Sequence, residues 1–456
     1  MKVLKFGGTS VGTVESLRNV KNIIEAIPGK AIIVVSALGG LTDKLIATAG
    51  KVAQGDKEWE KDFEAIEQRH FHIIDALVPS DKIKPTKEKL NSQLEGLKRN
   101  FEGVYLLRNL SEHTLNVIVS FGERMSSVIV AAIVDQGKRY YTPDFIKTEK
   151  RYGKNVAETK ITDALITSTF ENMGGEEKAI VPGFISSDAA TGEITNLGRG
   201  GSDYTGALIA SALDAEILEI WTDVDGFMTA DPRIVKDAKV IDSLSFTESM
   251  ELCTFGAKVV YPPTIYPVFH KNIPIKILNT FNPEAPGTLI TDHLRDLKDE
   301  IKGVSVLKDI CVLKFKISEK LKNSQLAQRA FNILSKNAVT IIPLSQHDPD
   351  TEFNLAVSAS DADRARKLII SEFSSEIKNG TLKEPSVVEN QAAVALVGQN
   401  MKSKGRLAAR IGNSLLRINV DIIAYSFANS DSTVLYIINQ EKSTPALLLI
   451  HSLIFN

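Results

Sequence analysis

Two glycine-rich segments of the sequence have the composition of anion-binding loops. The segment KFGGTS at residues 5–10 and the segment LGRGGSDYT at residues 197–205 each lie between a predicted strand and a predicted helix. Glycine lets the backbone approach an anion closely, successive N–H groups can hold phosphate oxygens, and a helix N-terminus adds positive partial charge. Lys5 could reach a transferring phosphoryl group, and Arg199 could bind a carboxylate in a bidentate fork. Taken alone, the first loop fits a plain tight turn equally well, because it matches neither the P-loop nor the dinucleotide fingerprint.

Three further segments carry groups suited to a nucleotide or an amino acid. Glu123 lies in FGERMS, directly after a predicted strand, and could pair with an amino group or simply form a surface ion pair with its neighbour. Asp203 could cap a helix, hold a substrate ammonium group, or orient Lys5 or a metal-bound water. The segments at 221–227 and 231–233 combine acidic, hydroxyl, aromatic and guanidinium groups that suit a nucleotide, and Lys258 could serve its phosphates.

The elements that would position these groups alternate between strands and helices. We predict strands at 3–6, 31–35, 116–120, 215–221 and 273–278, a helix at 14–27, and a long helical stretch from 59 to 109 with breaks near Pro79 and Pro85. A hairpin is predicted at 183–195, with a helix starting near Tyr204 after it. This order indicates an α/β sheet with helices on both faces.

The pattern changes near residue 292, where a charged linker is predicted over 292–302. Two copies of a strand-helix-strand-strand-helix order follow, which is the order of a small ferredoxin-like domain. The second copy ends on its helix, so we predict that residues 303–307 supply its missing strand. The predicted domains are 1–292, 303–385 and 391–456, with the strand at 303–307 shared.

Composition excludes several classes of protein. The 456 residues are 43% hydrophobic with a net charge of −2, which favours a folded core and gives no general attraction to nucleic acid or to membranes. The two cysteines form no Cys-x-x-Cys pair, and the seven histidines form no metal-binding spacing, so we assign no residue as a metal ligand. No apolar run suits a signal or a membrane span, and we expect a cytoplasmic protein.

Taken together, these segments resemble the aspartokinases of the amino-acid kinase superfamily. They follow that family's order and spacing, and the resemblance extends through the two C-terminal repeats, which resemble paired ACT domains, to the final segment at 451–456. The implied fold is an amino-acid-kinase αβα sandwich followed by two ferredoxin-like α+β regulatory domains. The segments that carry the resemblance are 5–10, 34–37, 122–126, 198–205, 220–226, 229–233 and 255–259 with Pro262.

The resemblance implies specific roles for individual residues. Lys5 and Asp203 would be catalytic, with Lys5 stabilising the transferring γ-phosphoryl group. Residues that would hold aspartate are Ser36, Thr42, Glu123, Arg199, Gly200, Gly201 and Ser202. Residues that would hold ATP are Lys5, Gly7, Gly8, Thr9, Ser10, Thr222, Asp223, Phe227, Arg233, Lys258 and Val259.

The resemblance also implies a reaction and its regulation. ATP with Mg²⁺ would phosphorylate L-aspartate to 4-phospho-L-aspartate, the first step towards lysine, threonine and methionine. ACT pairs imply lysine or threonine as effector and a homodimer or higher homo-oligomer formed through these domains. The family-like ending leads us to expect an aspartokinase without a dehydrogenase domain.

The sequence departs from the family pattern at several positions. Asp43 stands where Asn is expected, Phe227 where Tyr is common, and Tyr261 where His is common. Residues 323–325 lack the glycine typical of the first ACT helix, whereas the second repeat keeps Gly405. The identity of an effector, and whether inhibition occurs, therefore stays open.

Two alternatives remain beside aspartokinase. A glutamate 5-kinase or an acetylglutamate kinase would share the fold, although the segment at 199–203, Glu123 and the ACT pair favour aspartokinase. A catalytically silent amino-acid sensor would keep the ACT domains, but Lys5, Arg199 and Asp203 are all intact.

Overall fold

The computed structural model describes residues 1–151, 153–292, 301–317, 323–344, 352–427 and 431–455. The chain divides into two compact units, and each is described by itself. The first consists of Met1–Phe227 with Val259–His293, and the second of Met228–Lys258 with Leu294–Asn456. The predicted domain bounds, which count residues 228–258 with the catalytic part, stay a prediction.

The strands of the described residues follow in chain order. They are β1 (Lys2–Phe6), β2 (Ala31–Val35), β3 (Gly137–Arg139), β4 (Lys147–Arg151), β5 (Lys154–Ala157), β6 (Lys178–Pro182), β7 (Ile185–Asp188), β8 (Ile194–Asn196), β9 (Ile217–Thr222), β10 (Ser243–Leu244), β11 (Ile275–Asn279), β12 (Thr288–Ile290), β13 (Ile301–Lys316), β14 (Ile341–Pro343), β15 (Glu352–Ser358), β16 (Ser386–Gly398), β17 (Ile422–Phe427) and β18 (Thr433–Asn439).

The α-helices of the same residues alternate with these strands. They are α1 (Val14–Glu25), α2 (Leu41–Gln54), α3 (Trp59–Leu77), α4 (Ser80–Leu107), α5 (Glu112–Ile133), α6 (Thr159–Phe170), α7 (Gly201–Ala212), α8 (Phe246–Thr254), α9 (Tyr266–Phe269), α10 (Asn323–Lys336), α11 (Ala362–Glu372), α12 (Ser374–Lys378), α13 (Gly405–Arg417) and α14 (Ser443–Phe455).

The first unit is organised around a mainly parallel sheet. Within the unit, its strands are neighbours in the order β12-β11-β9-β1-β2-β6-β3. Strand β1 pairs in parallel with β2 on one side and with β9 on the other. All five residues of β2 are buried, as expected for a parallel strand covered on both faces. The predicted α/β class is confirmed, and the carboxyl ends of β1, β2 and β9 lie at one edge of the sheet.

Helix α5 corrects one prediction made from the sequence. Residues 116–120 were expected to form a strand, but they lie inside α5, which runs from Glu112 to Ile133. The Ser111 hydroxyl caps this helix by accepting from the backbone N–H of Thr114. A short apolar run fits a buried helix as well as a buried strand, so periodicity alone did not distinguish them. The predicted break at Pro85 is also wrong, because Pro85 lies within α4.

The same helix is long and apolar enough to cross a membrane by length and composition. Its mean hydropathy over the relevant window is 1.4, and 72% of that window is buried inside the protein. This degree of burial is that of a core helix, and α5 contributes Ile118, Met125 and Ile129 to the hydrophobic core of the first unit.

A smaller sheet carries the second glycine-rich segment. Its strands lie in the order β5-β4-β7-β8, and β7 and β8 form the predicted antiparallel hairpin. The chain leaves β8 at Asn196, passes through Gly198 and Gly200 in left-handed conformation, and enters α7 at Gly201. The helix therefore begins three residues before the predicted start.

The second unit contains the two C-terminal repeats. Its sheet has the order β14-β15-β13-β16-β18-β17. The long strand β13 pairs with β15 through its second half and with β16 along most of its length, including Gly303 opposite Val397 and Leu307 opposite Ala393. Residues 303–307 thus lie beside the central strand of the second repeat, where the sequence predicted them.

Two sequence predictions fall largely on residues outside the described ranges. The linker predicted at 292–302 covers residues 293–300, and residues 301 and 302 already belong to β13. Helix α10 begins at Asn323, but the side chains of 323–325, on which the effector argument rests, lie outside the described part of the chain.

Candidate active site

A cavity of about 680 Å³ opens at the carboxyl ends of β1 and β2 in the first unit. Ligands of open α/β sheets bind at this edge. All nine residues predicted for catalysis or aspartate binding line it together with Gly8, and these are joined by several residues that the sequence analysis did not single out. The predicted residues around it are Lys5, Gly8, Ser36, Thr42, Glu123, Arg199, Gly200, Gly201, Ser202 and Asp203.

Lys5 and Asp203 form an ion pair inside this cavity. The Lys5 Nζ lies 2.7 Å from Asp203 Oδ1, and the two side chains are only 11% and 13% exposed. Lys5 projects from β1, and Asp203 lies in the first turn of α7, where the helix N-terminus favours a carboxylate. The pair holds a positive charge at the sheet edge and keeps the lysine side chain from turning into solvent.

The first glycine loop is held by backbone contacts. The Gly7 N–H donates to the Trp221 carbonyl at 3.0 Å. A Cβ on Gly8 would lie 3.2 Å from the Ala37 carbonyl oxygen, and a Cβ on Gly39 would lie 3.0 Å from the Gly8 carbonyl oxygen. Glycine at both positions lets the loops after β1 and β2 touch through their backbones.

Ser10 and Thr9 differ in their surroundings. The Ser10 hydroxyl is buried, donates to the Trp221 carbonyl and accepts from the Thr280 hydroxyl at 2.7 Å. Its side chain therefore ties the loop to the end of β9, whereas Thr9 is exposed. The phosphate-binding role predicted for both residues stays a prediction.

The second glycine loop needs glycine for two reasons. Gly200 has a φ of 70°, and a Cβ there would lie 2.6 Å from the Tyr261 Cβ. A Cβ on Gly201 would lie 2.8 Å from the Phe184 ring. This close packing leaves Arg199 exposed at the cavity, with its guanidinium 5.9 Å from the Tyr261 ring.

Glu123 is the most perturbed acid in the cavity. The side chain is buried on α5, and burial raises the pKa of its carboxyl to about 8, although a backbone hydrogen bond from Ala37 and the Lys5 charge act in the opposite direction. Its Oε2 atom has no hydrogen-bond partner among the described residues. A buried acceptor without a partner costs free energy, so this oxygen favours a cationic or hydrogen-bond-donating ligand.

Helix α5 and the loop after β2 are joined beside Glu123. The Ser126 hydroxyl donates to the Ser36 carbonyl at 2.7 Å. Ser36, Thr42 and Asp43 all line the cavity, so the unusual Asp43 lies in the same space as the predicted aspartate ligands.

The predicted nucleotide residues are less uniform. The Thr222 hydroxyl donates to Asp223 at 3.2 Å, and both residues lie at the end of β9. Phe227 is fully buried and its backbone N–H donates to the Thr288 hydroxyl, so its ring presents no face for stacking on a base. The role predicted for Phe227 in holding ATP stays a prediction. Val259 is half-buried in the same unit.

Arg233 and Lys258 belong to the second unit. Arg233 is largely exposed and forms an ion pair with Asp231 at 2.7 Å, and Lys258 is exposed. The roles assigned to them in binding ATP stay predictions.

The sequence analysis missed several residues that complete the cavity. They include Gly39 and Gly40 after β2, Ile46 on α2, Phe184 and Asn196. The glycine pair in the loop after the buried strand β2 resembles Gly7 and Gly8 after β1, and that signal could have indicated the loop after β2 as part of the site.

Comparison with known proteins identifies the family. The model of the amino acid kinase family matches residues 1–279. The bifunctional aspartokinase/homoserine dehydrogenase of Haemophilus influenzae is 29% identical over 463 residues, which cover 100% of this chain and 57% of that relative. The chain spans about half the length of the first curated relatives it matches.

Solved structures match over the full chain. Aspartokinase III of E. coli, crystallised with aspartate and ADP in an R-state, is 26% identical, is covered to 100% in both chains and has a TM-score of 0.85. The same protein with lysine and aspartate in a T-state has a TM-score of 0.76. Aspartate kinase of Clostridium acetobutylicum, described as allosteric, is 28% identical with 100% coverage of both chains and a TM-score of 0.81. The chain is a member of the amino acid kinase family, and over its whole length it resembles the aspartokinases of that family.

Proposed function

We propose that this protein transfers the γ-phosphoryl group of ATP to the side-chain carboxylate of L-aspartate. The observation that carries the proposal is that Arg199 and Glu123 line one cavity with Lys5. Arg199 suits a carboxylate, and the unpartnered oxygen of Glu123 suits an ammonium group, so the two together select an amino acid. The relative crystallised with aspartate and ADP supports this choice of substrates.

The reaction needs charge stabilisation more than proton transfer. An aspartate side chain has a reference pKa of about 3.9, so it is already an anionic nucleophile at neutral pH. One of its oxygens forms a bond to the γ-phosphorus, the bond from that phosphorus to the bridging oxygen breaks, and ADP leaves with the electron pair. The products are ADP and 4-phospho-L-aspartate.

The residues of this chain would offset the repulsion between the two anions. Lys5, held by Asp203 within 2.7 Å, supplies a fixed charge beside the glycine loop. Preorganised charges of this kind stabilise the transferring phosphoryl group without reorganisation at the moment of reaction. ATP would enter as its Mg²⁺ complex, and this metal belongs to the substrate. Within the described ranges no three His, Cys, Asp or Glu side chains form a metal-binding group.

The second unit would regulate the enzyme. Its two repeats share one sheet through β13 and β16, and the E. coli relative was crystallised with lysine. We propose lysine or threonine as effector and a homodimer or higher homo-oligomer formed through these repeats. We further propose a cytoplasmic location and a role in the first step of the biosynthesis of aspartate-derived amino acids.

Trapping the acyl phosphate as a hydroxamate tests the substrate assignment. Purified protein is supplied with ATP, Mg²⁺ and either aspartate, glutamate or acetylglutamate, with and without lysine or threonine. Hydroxamate formed only from aspartate supports the proposal. Product from glutamate or acetylglutamate would assign the chain to a sibling kinase. If none of the three substrates leads to the formation of ADP, the result would indicate a sensor.

Replacing Lys5 tests the mechanism. We expect Lys5→Ala to lose about 2–4 kcal/mol of transition-state stabilisation, the scale of removing one preorganised donor. Lys2→Ala is a matched control, because Lys2 lies on the same strand and its Nζ instead pairs with Glu219 at 2.9 Å. Near-normal ADP formation by Lys5→Ala would contradict the mechanism, and kcat/KM of Lys2→Ala should stay close to that of the parent protein.

A further inference from the structure

Two arginines lie close together at the outer edge of the main sheet of the first unit. Arg124 lies on α5 and Arg139 on β3. Their guanidinium carbons are 5.7 and 5.8 Å from the centre of the Tyr141 ring, and Arg124 also stacks on Phe121 at 4.2 Å. Neither arginine lines the cavity described above.

Among the described residues, each guanidinium uses one of its nitrogen atoms in a hydrogen bond. Arg124 Nε donates to Gln93 Oε1 at 2.8 Å, and Arg139 Nε donates to the Ser127 hydroxyl at 2.8 Å. In the described ranges, neither side chain forms an ion pair with a carboxylate, and their Nη atoms have no acceptor. The forks of both guanidiniums are therefore available to a ligand.

This arrangement is electrostatically unfavourable without a counterion. Burial lowers the pKa of both guanidiniums, and the charge of Arg124 lowers that of Arg139 further. The Tyr141 ring lies beside both, and the carboxylate of Asp144 acts on Arg139 without pairing with it. Placing two like charges in a partly desolvated position costs free energy unless an opposite charge accompanies them.

Another partly buried arginine of the same chain shows how such a charge is normally balanced. Arg329 in the second unit stacks on Phe373 and forms ion pairs with both Glu372 and Glu376. The arginines at 124 and 139 have aromatic contacts like that of Arg329, but no carboxylate within the described part of the chain pairs with either of them. Two guanidinium charges at this position are therefore not balanced by a described carboxylate, and an anion would stabilise them.

We propose that Arg124, Arg139 and the Tyr141 hydroxyl form a second anion site that binds the phosphate group of a small molecule. Two guanidinium forks can hold the several oxygens of one phosphate, which a single carboxylate would not satisfy. The Tyr141 hydroxyl has no hydrogen-bond partner in the described part of the chain and can donate as well. The site is separate from the candidate active site and does not depend on the proposed reaction.

Inorganic phosphate is the probe for this site. Thermal unfolding of the full chain is followed in phosphate and in chloride at equal ionic strength, for the parent protein, Arg139→Gln and Lys5→Ala. We expect phosphate to raise the Tm of the parent protein and of Lys5→Ala, because the latter keeps both arginines. Arg139→Gln should lose this increment, and its affinity for phosphate, measured by ³¹P line broadening, should fall by about tenfold or more.

A second readout separates a binding role from a structural one. Without phosphate, Arg139→Gln should unfold at the same temperature as the parent protein or higher, since it removes a like-charge contact. If Arg139→Gln does not fold, Arg139→Lys keeps the charge but loses the fork, and it should show the same loss of phosphate affinity. Arg151→Gln, which removes an exposed arginine paired with Glu149, is the control for net charge.

Three results would overturn the proposal. The first is a parent protein whose Tm in phosphate equals its Tm in chloride, and the second is a phosphate-dependent increase in Tm that Arg139→Gln keeps undiminished. The third is a change of self-association in Arg139→Gln, seen by analytical ultracentrifugation, without any effect of phosphate. That result would mean that a carboxylate of a second copy, and not a small anion, accompanies the arginines.

Discussion

Replacing Glu123 by glutamine should make the protein more stable at neutral and alkaline pH while weakening its affinity for aspartate. Glu123 is buried in the candidate active site, and one of its oxygens has no partner among the residues described. Glutamine has nearly the same shape but cannot ionise. The substitution therefore removes the cost of a buried charge without creating a cavity.

The magnitude follows from the pKa of the Glu123 carboxyl. Burial raises this pKa from 4.5 to about 8. The unfolded chain releases the proton near 4.5 and the folded protein keeps it until about 8, so the free energy of unfolding falls as pH rises through this interval. This difference in pKa between the unfolded and the folded state lowers the free energy of unfolding by about 5 kcal/mol above pH 8 and by about 3 kcal/mol at pH 7. Below pH 4.5 the Glu123 carboxyl is protonated in both states, so its ionisation does not affect the free energy of unfolding.

Urea denaturation of the parent protein and of Glu123→Gln, measured from pH 5 to pH 9, checks this expectation. The advantage of the variant should be small at pH 5 and should grow towards pH 8, where it levels off. Glu102→Gln is the matched control, because Glu102 is exposed on α4 and its replacement removes the same charge from solvent. Parallel pH profiles for the parent protein and Glu123→Gln would refute the reasoning.

Binding of aspartate should reverse the protonation of Glu123. An ammonium group beside the carboxyl favours its ionised form, so binding at a pH below about 8 should release a proton. Titration calorimetry in buffers of different ionisation enthalpy measures this proton directly. Glu123→Gln should bind aspartate more weakly and release none, and an equal release from both proteins would exclude Glu123 as the group that meets the ammonium.

Two further substitutions test the packing around the site and within the second unit. Gly200→Ala places a Cβ 2.6 Å from the Cβ of Tyr261 at a φ of 70°. The resulting strain of about 1–3 kcal/mol should raise the KM for aspartate. Gly192→Ala is the control, because Gly192 has a φ of 72° with open space around its Cβ, and its replacement should lower stability without changing the KM. Equal KM values for the two variants would contradict this account. Thr229→Val removes a buried hydrogen bond to His451, 3.0 Å away, and should lower the unfolding free energy of the second unit by about 1–3 kcal/mol in urea denaturation. An unchanged midpoint would show that this bond contributes nothing.

Local sequence patterns were sufficient for the elements that carry the glycine loops. The strand Lys2–Phe6 and the strand Ala31–Val35 are short and rich in apolar residues, and each leads into a loop that contains a glycine pair. The hairpin of β7 and β8 and the sharing of residues 303–307 with the second repeat followed from similar counting. The two strands and the hairpin depend on neighbours in the chain, whereas the pairing of Gly303 with Val397 joins distant segments and was predicted by counting the strands of the two repeats.

Residue type alone, without a clear hydrophobic periodicity, was not sufficient to predict secondary structure or burial. Residues 116–120 are apolar enough for a buried strand, yet they lie inside a 22-residue helix whose faces are covered by the core. Phe227 has the residue type of a base-stacking side chain, but it is fully buried. In both cases the surroundings, which come from distant parts of the chain, decided the outcome.

The sequence by itself determined which groups this protein has at its sheet edge: a lysine in the first strand, an arginine and an aspartate in the second glycine loop, and a glutamate that was predicted to follow a strand. Only the tertiary structure brought Lys5 within 2.7 Å of Asp203 and buried Glu123 enough to raise its pKa to about 8. It also placed Arg124 and Arg139 beside the same Tyr141 ring, where no carboxylate of the described residues pairs with them. The physical reason is that charge interaction and desolvation depend on distances and on the surrounding atoms, and residues far apart in the chain set both.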